Sequence, residues 1–308
     1  MKTLLLSLAF VTGLAAAQPF QVKVTGHGPA QAFQVKVTGP ASAQPYQEKA
    51  TGHGPAMILI PGLSCPGEVW DSTVAHYQDR YQIHVLSLAG FAGVPRVAGP
   101  LIENAREGLA AYIRTNHLEK PVIVGHSLGG FLALDLAASH PDLPGKLVIV
   151  DSYPFFAGLA DPDATPEKAK ANAEMMRKGM EAQSQEDYNR FVKSGVATRA
   201  MVTKDSDLDR IIAWSLASDR GAVADAMGAL FGADLRADLA RIQSPTLVMG
   251  TWIGFKQYTD RARTEASLRR QYAKLTGVEI EITDTARHFI MWDDPDWMFG
   301  QMDRFLSR

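Results

Sequence analysis

The sequence predicts an α/β chain: a mainly parallel sheet with flanking helices and a helical insertion above it. Three observations carry that expectation. Short runs rich in Val, Ile and Leu recur at 57–60, 82–86, 121–124, 146–150, 246–249 and 278–282. Such near-continuous apolar content suits strands covered on both faces. Segments of helical period separate them, at 102–115, 128–139, 261–274 and 295–306, and strands alternating with helices imply parallel pairing through crossovers. The alternation breaks over residues 152–243, an Ala-, Met- and charge-rich stretch without a strand signal. That stretch reads as a helical cap, leaving 45–151 and 244–308 as the core.

The N-terminus is a separate matter. Met1-Lys2, an apolar run over 4–14 and the small residues Ala15-Ala16-Ala17 form the pattern of a secretory signal peptide, residues 1–17. The run is too short to span a bilayer, so the expectation is a secreted or periplasmic protein without stable membrane insertion. Residues 18–44 carry a repeat of period 13. Phe20-Gln21-Val22-Lys23-Val24-Thr25-Gly26 recurs at 33–39 and, weakened, at 46–52. Each copy alternates apolar and polar residues before a glycine, as a half-buried strand ending in a turn does. Copies two and three are expected to form a hairpin, with copy one surplus and loosely attached. His27 and His53 fall in the turns as solvated residues.

Composition narrows the function. Of 308 residues, 46% are hydrophobic and 21% charged, ordinary for a folded chain. A formal charge of −2 gives no electrostatic case for nucleic acid. The single cysteine, Cys65, excludes an intramolecular disulfide and a zinc site of several thiolates; it reads as a small buried residue. No phosphate loop or dinucleotide fingerprint is present. Neither a metal nor a cofactor is expected.

The chemistry-bearing segment is Gly125-His126-Ser127-Leu128-Gly129-Gly130, placed between an apolar strand and a helical pattern. G-x-S-x-G in that setting is the sharp turn that lifts a serine hydroxyl above a sheet edge. On these residues, with Pro61-Gly62-Leu63 after the first buried run and His288 near the C-terminus, the chain resembles the α/β-hydrolase family over residues 46–308. The resemblance implies Ser127 as nucleophile. It also implies an oxyanion hole from the backbone N–H groups of Leu63 and Leu128. In the family order the base follows late in the chain, and His288 fits. The family's usual Gly-His there is replaced by Arg287-His288. His126, by its place in the turn, points away from the serine as a packing residue. The family's usual acid is missing, because Gly250-Thr251-Trp252-Ile253-Gly254-Phe255 holds no carboxylate. Asp151, at the end of the preceding buried strand, is the leading candidate, with Asp260 and Asp284 as alternatives. Asp293, Asp294 and Asp296 read as helix-start residues.

The expected activity is hydrolysis of a small-molecule carboxylic ester through an acyl-enzyme. A lactone or amide hydrolase on the same triad, or a ligand-binding protein on the same scaffold, are the rivals.

Overall fold

The computed structural model describes residues 20–25, 54–161 and 163–308. Seven strands form one sheet: β1 (Phe20–Thr25), β2 (Ala56–Ile60), β3 (Gln82–Leu88), β4 (Val122–His126), β5 (Lys146–Val150), β6 (Thr246–Thr251) and β7 (Glu279–Thr283). They lie in the order β1-β3-β2-β4-β5-β6-β7. Every neighbouring pair is parallel except β1 with β3. The six apolar runs read from the sequence are all strands, with β3 and β6 each two residues longer than expected.

Side-chain alternation sorts each strand between two cores. Ile58, Ile60, Leu147 and Ile149 join one buried cluster, and their neighbours Met57, Leu59, Val148 and Val150 join the other. With both faces covered, each such side chain is removed from water. Truncating one to Ala costs about 2–5 kcal/mol.

The helices are α1 (Asp71–Tyr77), α2 (Leu101–Thr115), α3 (Leu128–Ser139), α4 (Ala157–Ala160), α5 (Pro166–Ala182), α6 (Gln185–Lys193), α7 (Asp205–Leu216), α8 (Arg220–Gly232), α9 (Arg261–Gln271), α10 (Ile290–Asp293) and α11 (Pro295–Leu306). Residues of α2, α3 and α9 fill the first core, and those of α1 and α11 the second. Five helices, α4 to α8, and no strand occupy the described part of 152–243, so the insertion is helical as expected. It is fastened over the carboxyl ends of the strands. Asp219 N–H donates to Gly90 O at 2.7 Å and Gly93 N–H to Ala217 O at 3.0 Å, both in the loop after β3. Among the described residues, no helix is long and apolar enough to cross a membrane.

The repeat departs from expectation. Copy one is not surplus: it is β1, paired antiparallel from Phe20↔Leu88 to Thr25↔Ile83. Without it β3 would end the sheet with a row of unpaired N–H and C=O groups, which a strand rich in Val and Phe satisfies well. Copies two and three, the expected hairpin, lie outside the described residues, as do residues 1–17, His27 and His53.

Candidate active site

Strand β4 ends at His126 and α3 begins at Leu128, so Ser127 alone makes the corner. Its backbone sits at φ 52°, ψ −119°, a combination that residues with a Cβ avoid. Two hydrogen bonds hold it there: Ser127 N–H to Val150 O of β5, and Phe131 N–H to Ser127 O, both at 3.0 Å. Two glycines make the corner possible. A Cβ at Gly125 would lie 2.3 Å from Gly129 O, and one at Gly129 would lie 2.3 Å from Ile60 O, distances no packing tolerates. The serine therefore stands at the start of α3, where the helix dipole favours negative charge.

Asp151 is the first residue beyond β5, at φ 43°, with its N–H bonded to Met249 O at 2.7 Å. Its Oδ2 lies 2.6 Å from His288 Nδ1. An ionised carboxylate only accepts, so Nδ1 carries the proton and Nε2 is left as the basic nitrogen. Both side chains are largely withdrawn from water, at 16% and 9% exposure for His288 and Asp151, which strengthens the contact. The other two candidate acids are engaged elsewhere. Asp260 caps α9, accepting from Arg263 N–H at 2.8 Å. Asp284 accepts from Trp252 Nε1 at 2.8 Å and Arg261 Nη1 at 2.5 Å. The Arg261 bond, then that of Trp252, holds its carboxyl below the usual range. In the segment where the family's usual acid is missing, Thr251 Oγ1, at the end of β6, donates to Ala286 O.

His126 does more than pack. Its Nε2 lies 3.0 Å from the backbone O of His288. A carbonyl can only accept, so that nitrogen bears the proton and donates. The two imidazoles are 4.5 Å apart at their centroids. Burial, and after it the charge of His288, pushes the His126 pKa well below its ordinary value, so the ring is neutral. It ties the loop of the histidine to the turn of the serine. The sequence held one signal for this: a polar residue at the buried end of a central strand must find an acceptor somewhere.

The turn carrying Leu63 lies against the serine. A Cβ on Gly62 would sit 2.9 Å from His126 Nδ1 and 3.2 Å from Ser127 Cβ. Neither Leu63 N–H nor Leu128 N–H donates to another described backbone group. Leu128 directly follows the serine and Leu63 directly follows Gly62, which packs against it, so both expected oxyanion donors belong to the segments that meet at Ser127. Ser127 Oγ and His288 Nε2 have no hydrogen-bond partner among the described residues. Catalytic hydrogen bonds are often long in an unliganded site.

Other features read from the sequence stay outside this group. Cys65 is buried, and burial lifts its thiol to about 12, so it carries no thiolate near neutrality. Asp294 caps α11, and Asp293 binds the Arg287 and Thr203 N–H groups. Among the described residues, no cluster of three or more His, Cys, Asp or Glu is placed to hold a metal ion. A cleft of about 570 Å³ opens beside α2 and α8, lined by Arg96, Leu101, Phe131, Asp135 and Leu235 among others. Ser127, His288 and Asp151 do not line it, although Phe131 is only one turn along α3 from the serine.

A strained serine at a strand–helix corner and a histidine backed by a carboxylate are the arrangement that the α/β-hydrolase resemblance leads one to expect. Sequence comparison agrees: the model of the alpha/beta hydrolase family matches residues 57–301, and the chain belongs to that family. It is 29% identical over 198 residues to a pimeloyl-[acyl-carrier protein] methyl ester esterase of Aeromonas hydrophila subsp. hydrophila, covering 63% of this chain and 74% of the relative. The same-named protein of Pectobacterium atrosepticum is 29% identical over 154 residues, and there the chain spans only 56% of the relative's length. Among solved structures, the enol-lactonase of Burkholderia xenovorans superposes with a TM-score of 0.68 at 18% identity, covering 94% of this chain and 96% of that one. At that identity the likeness concerns the fold.

Proposed function

We propose that the chain is a serine hydrolase that cleaves a small-molecule carboxylic ester through an acyl-enzyme. The observation that carries this reading is the 2.6 Å contact between His288 Nδ1 and Asp151 Oδ2, set beside a serine in a strained corner. His288 Nε2 takes the Ser127 proton as Oγ attacks the ester carbonyl. The oxyanion that forms accepts from Leu63 N–H and Leu128 N–H. The imidazolium, stabilised by Asp151, then protonates the departing alkoxide. Water, activated by the same Nε2, attacks the acyl-enzyme and frees the acid and the serine. Every step uses groups of this chain and water. The two curated relatives are named for a methyl ester, which supports an ester with a small alcohol leaving group.

The test is a panel of methyl and p-nitrophenyl esters of varied acyl length, with a lactone and an amide included, and labelling with a fluorophosphonate. Ser127→Ala and His288→Ala should each lower kcat by several orders of magnitude while leaving the protein folded, with the double variant scarcely worse. More than a few per cent of activity in Ser127→Ala would sink the assignment. A folded wild type that neither labels nor turns over any ester would favour a binding protein on this scaffold.

The proposal includes export. The basic start, apolar run and Ala15-Ala16-Ala17 support cleavage before Gln18. N-terminal sequencing of protein from its native host should begin near Gln18, and an intact Met1 on cytoplasmic protein would overturn it.

A further inference from the structure

Arg287 stands where the glycine of the family's usual Gly-His pattern is expected, and the mechanism above gives it no task. Its side chain reaches into the helical insertion. Nη1 donates to the carbonyls of Arg199 at 3.0 Å and Val202 at 2.5 Å. They belong to the first residue of the 3-10 turn Arg199–Met201 and to the residue that follows it, carbonyls without a partner inside the turn. Further bonds join the same two segments. Phe289 N–H donates to Met201 O at 3.3 Å. Asp293 accepts from Arg287 N–H at 2.9 Å through Oδ2, and from Thr203 N–H at 3.2 Å and Thr203 Oγ1 at 2.5 Å through Oδ1. The residues on either side of His288 are thus both bonded to insertion residues 199–203, while His288 O is held by His126 from the opposite side. Arg287 makes none of the ion pairs found among the described residues, and its buried Nε has no partner.

We propose that Arg287 is a positioning residue that couples the seating of segment 199–203 to the pose of His288. The base reaches its working geometry only when the insertion is docked. This rests on His288 acting as the general base. A displacement of about 1 Å in such a group costs on the order of 10²-fold in rate, so a small loosening of the loop has a large kinetic effect.

The experiment compares Arg287→Met, which keeps an apolar stem without donors, and Arg287→Lys, which keeps a cationic donor. Measured for each are kcat and KM on p-nitrophenyl acetate, the rate of fluorophosphonate labelling at Ser127, and Tm. Arg287→Met should lower kcat and the labelling rate together by about 10- to 100-fold, with KM changed by less than about threefold. Arg287→Lys should recover most of both. If Arg287 is only a strut, Tm falls while kcat and labelling, read well below Tm, stay within about twofold of wild type; that overturns the proposal. Should Arg287→Met not fold, Thr203→Val removes a different bond, from Thr203 Oγ1 to Asp293, that seats the same segment 199–203 against the His288 loop. Folded Thr203→Val with wild-type rates overturns the proposal equally, and a joint fall in kcat and labelling supports it. A wild type that resists labelling at Ser127 overturns the hydrolase reading and the positioning role with it. A labelled wild type with an unaffected Arg287→Met overturns the positioning role alone.

Discussion

Asp151 and Asp260 are both aspartates beside the carboxyl end of the sheet, yet their surroundings assign them opposite work. Asp151 accepts from an imidazole at 2.6 Å, whereas Asp260 accepts from the backbone of its own helix at 2.8 Å. Asp151→Asn should therefore lower kcat by about 10³–10⁴-fold, because an amide cannot fix the tautomer or stabilise the imidazolium, with Tm little changed. Asp260→Asn should leave kcat near wild type, since Asn caps a helix about as well as Asp. Steady-state kinetics and melting curves on the two variants decide it; a crippled Asp260→Asn beside a normal Asp151→Asn would reverse the assignment. The contrast also marks what sequence discloses at this scale. Ser127 is legible because its corner demands glycines on both sides, and that demand is written in neighbouring letters. The acid is legible only as one of three aspartates, because the choice depends on which strand end meets the His288 loop in space. Arg287 and His126 act through backbone carbonyls brought near by tertiary packing, so no pattern of residue types announces them.

At the scale of elements, the five central strands were readable because burial on both faces leaves continuous apolar runs, and β7, at one edge, because its isoleucines alternate. The edge beside β3 was not. Three similar heptads compete for one position beside β3, and periodicity cannot say which is used. β1 takes the six ladder pairs from Phe20 to Thr25, yet residues 33–39 repeat residues 20–26 letter for letter. An identical sequence has the same propensity to form this edge strand. Thr25 and Ala56 pair with the adjacent residues Ile83 and Gln82, so the connection needs to bridge only two strand spacings, roughly 10 Å. The chain between Thr38 and Ala56 is ample for that. Deleting residues 18–30 should accordingly leave Tm and activity almost unchanged. Deleting 18–44 leaves only the third copy, where Glu48 and Ala50 replace the two valines, and should lower Tm by a few degrees. Thermal melts of both deletions check this; a large loss from the first deletion would mean that copy two cannot take the edge.

For the whole molecule, stability against acid follows from two imidazoles sealed in the interior. His126 lies at the serine corner, and His84 lies on β3 at 3% exposure, bonded to Tyr112 Oη at 2.8 Å. Burial pushes the His84 pKa down to about 4, against roughly 6.5 in an unfolded chain. The sign follows from proton counting. Above pH 6.5 neither state holds the proton, and the stability is fully present. Between 6.5 and 4 the unfolded chain binds a proton that the folded chain refuses, so stability falls as pH falls. Below 4 both are protonated and the loss is complete. A gap of that size is worth about 3 kcal/mol at most. His84→Asn keeps a polar partner for Tyr112 but removes the titration. Carboxylates also titrate in this range, but they are common to both proteins and cancel in the comparison. Urea unfolding at pH 7.5, 6, 5 and 4 should show wild type losing more stability on acidification than His84→Asn, the gap opening mainly between pH 6.5 and 4. Parallel curves would show that His84 takes up its proton in the folded state as easily as in the unfolded one, and its burial would then carry no pH dependence.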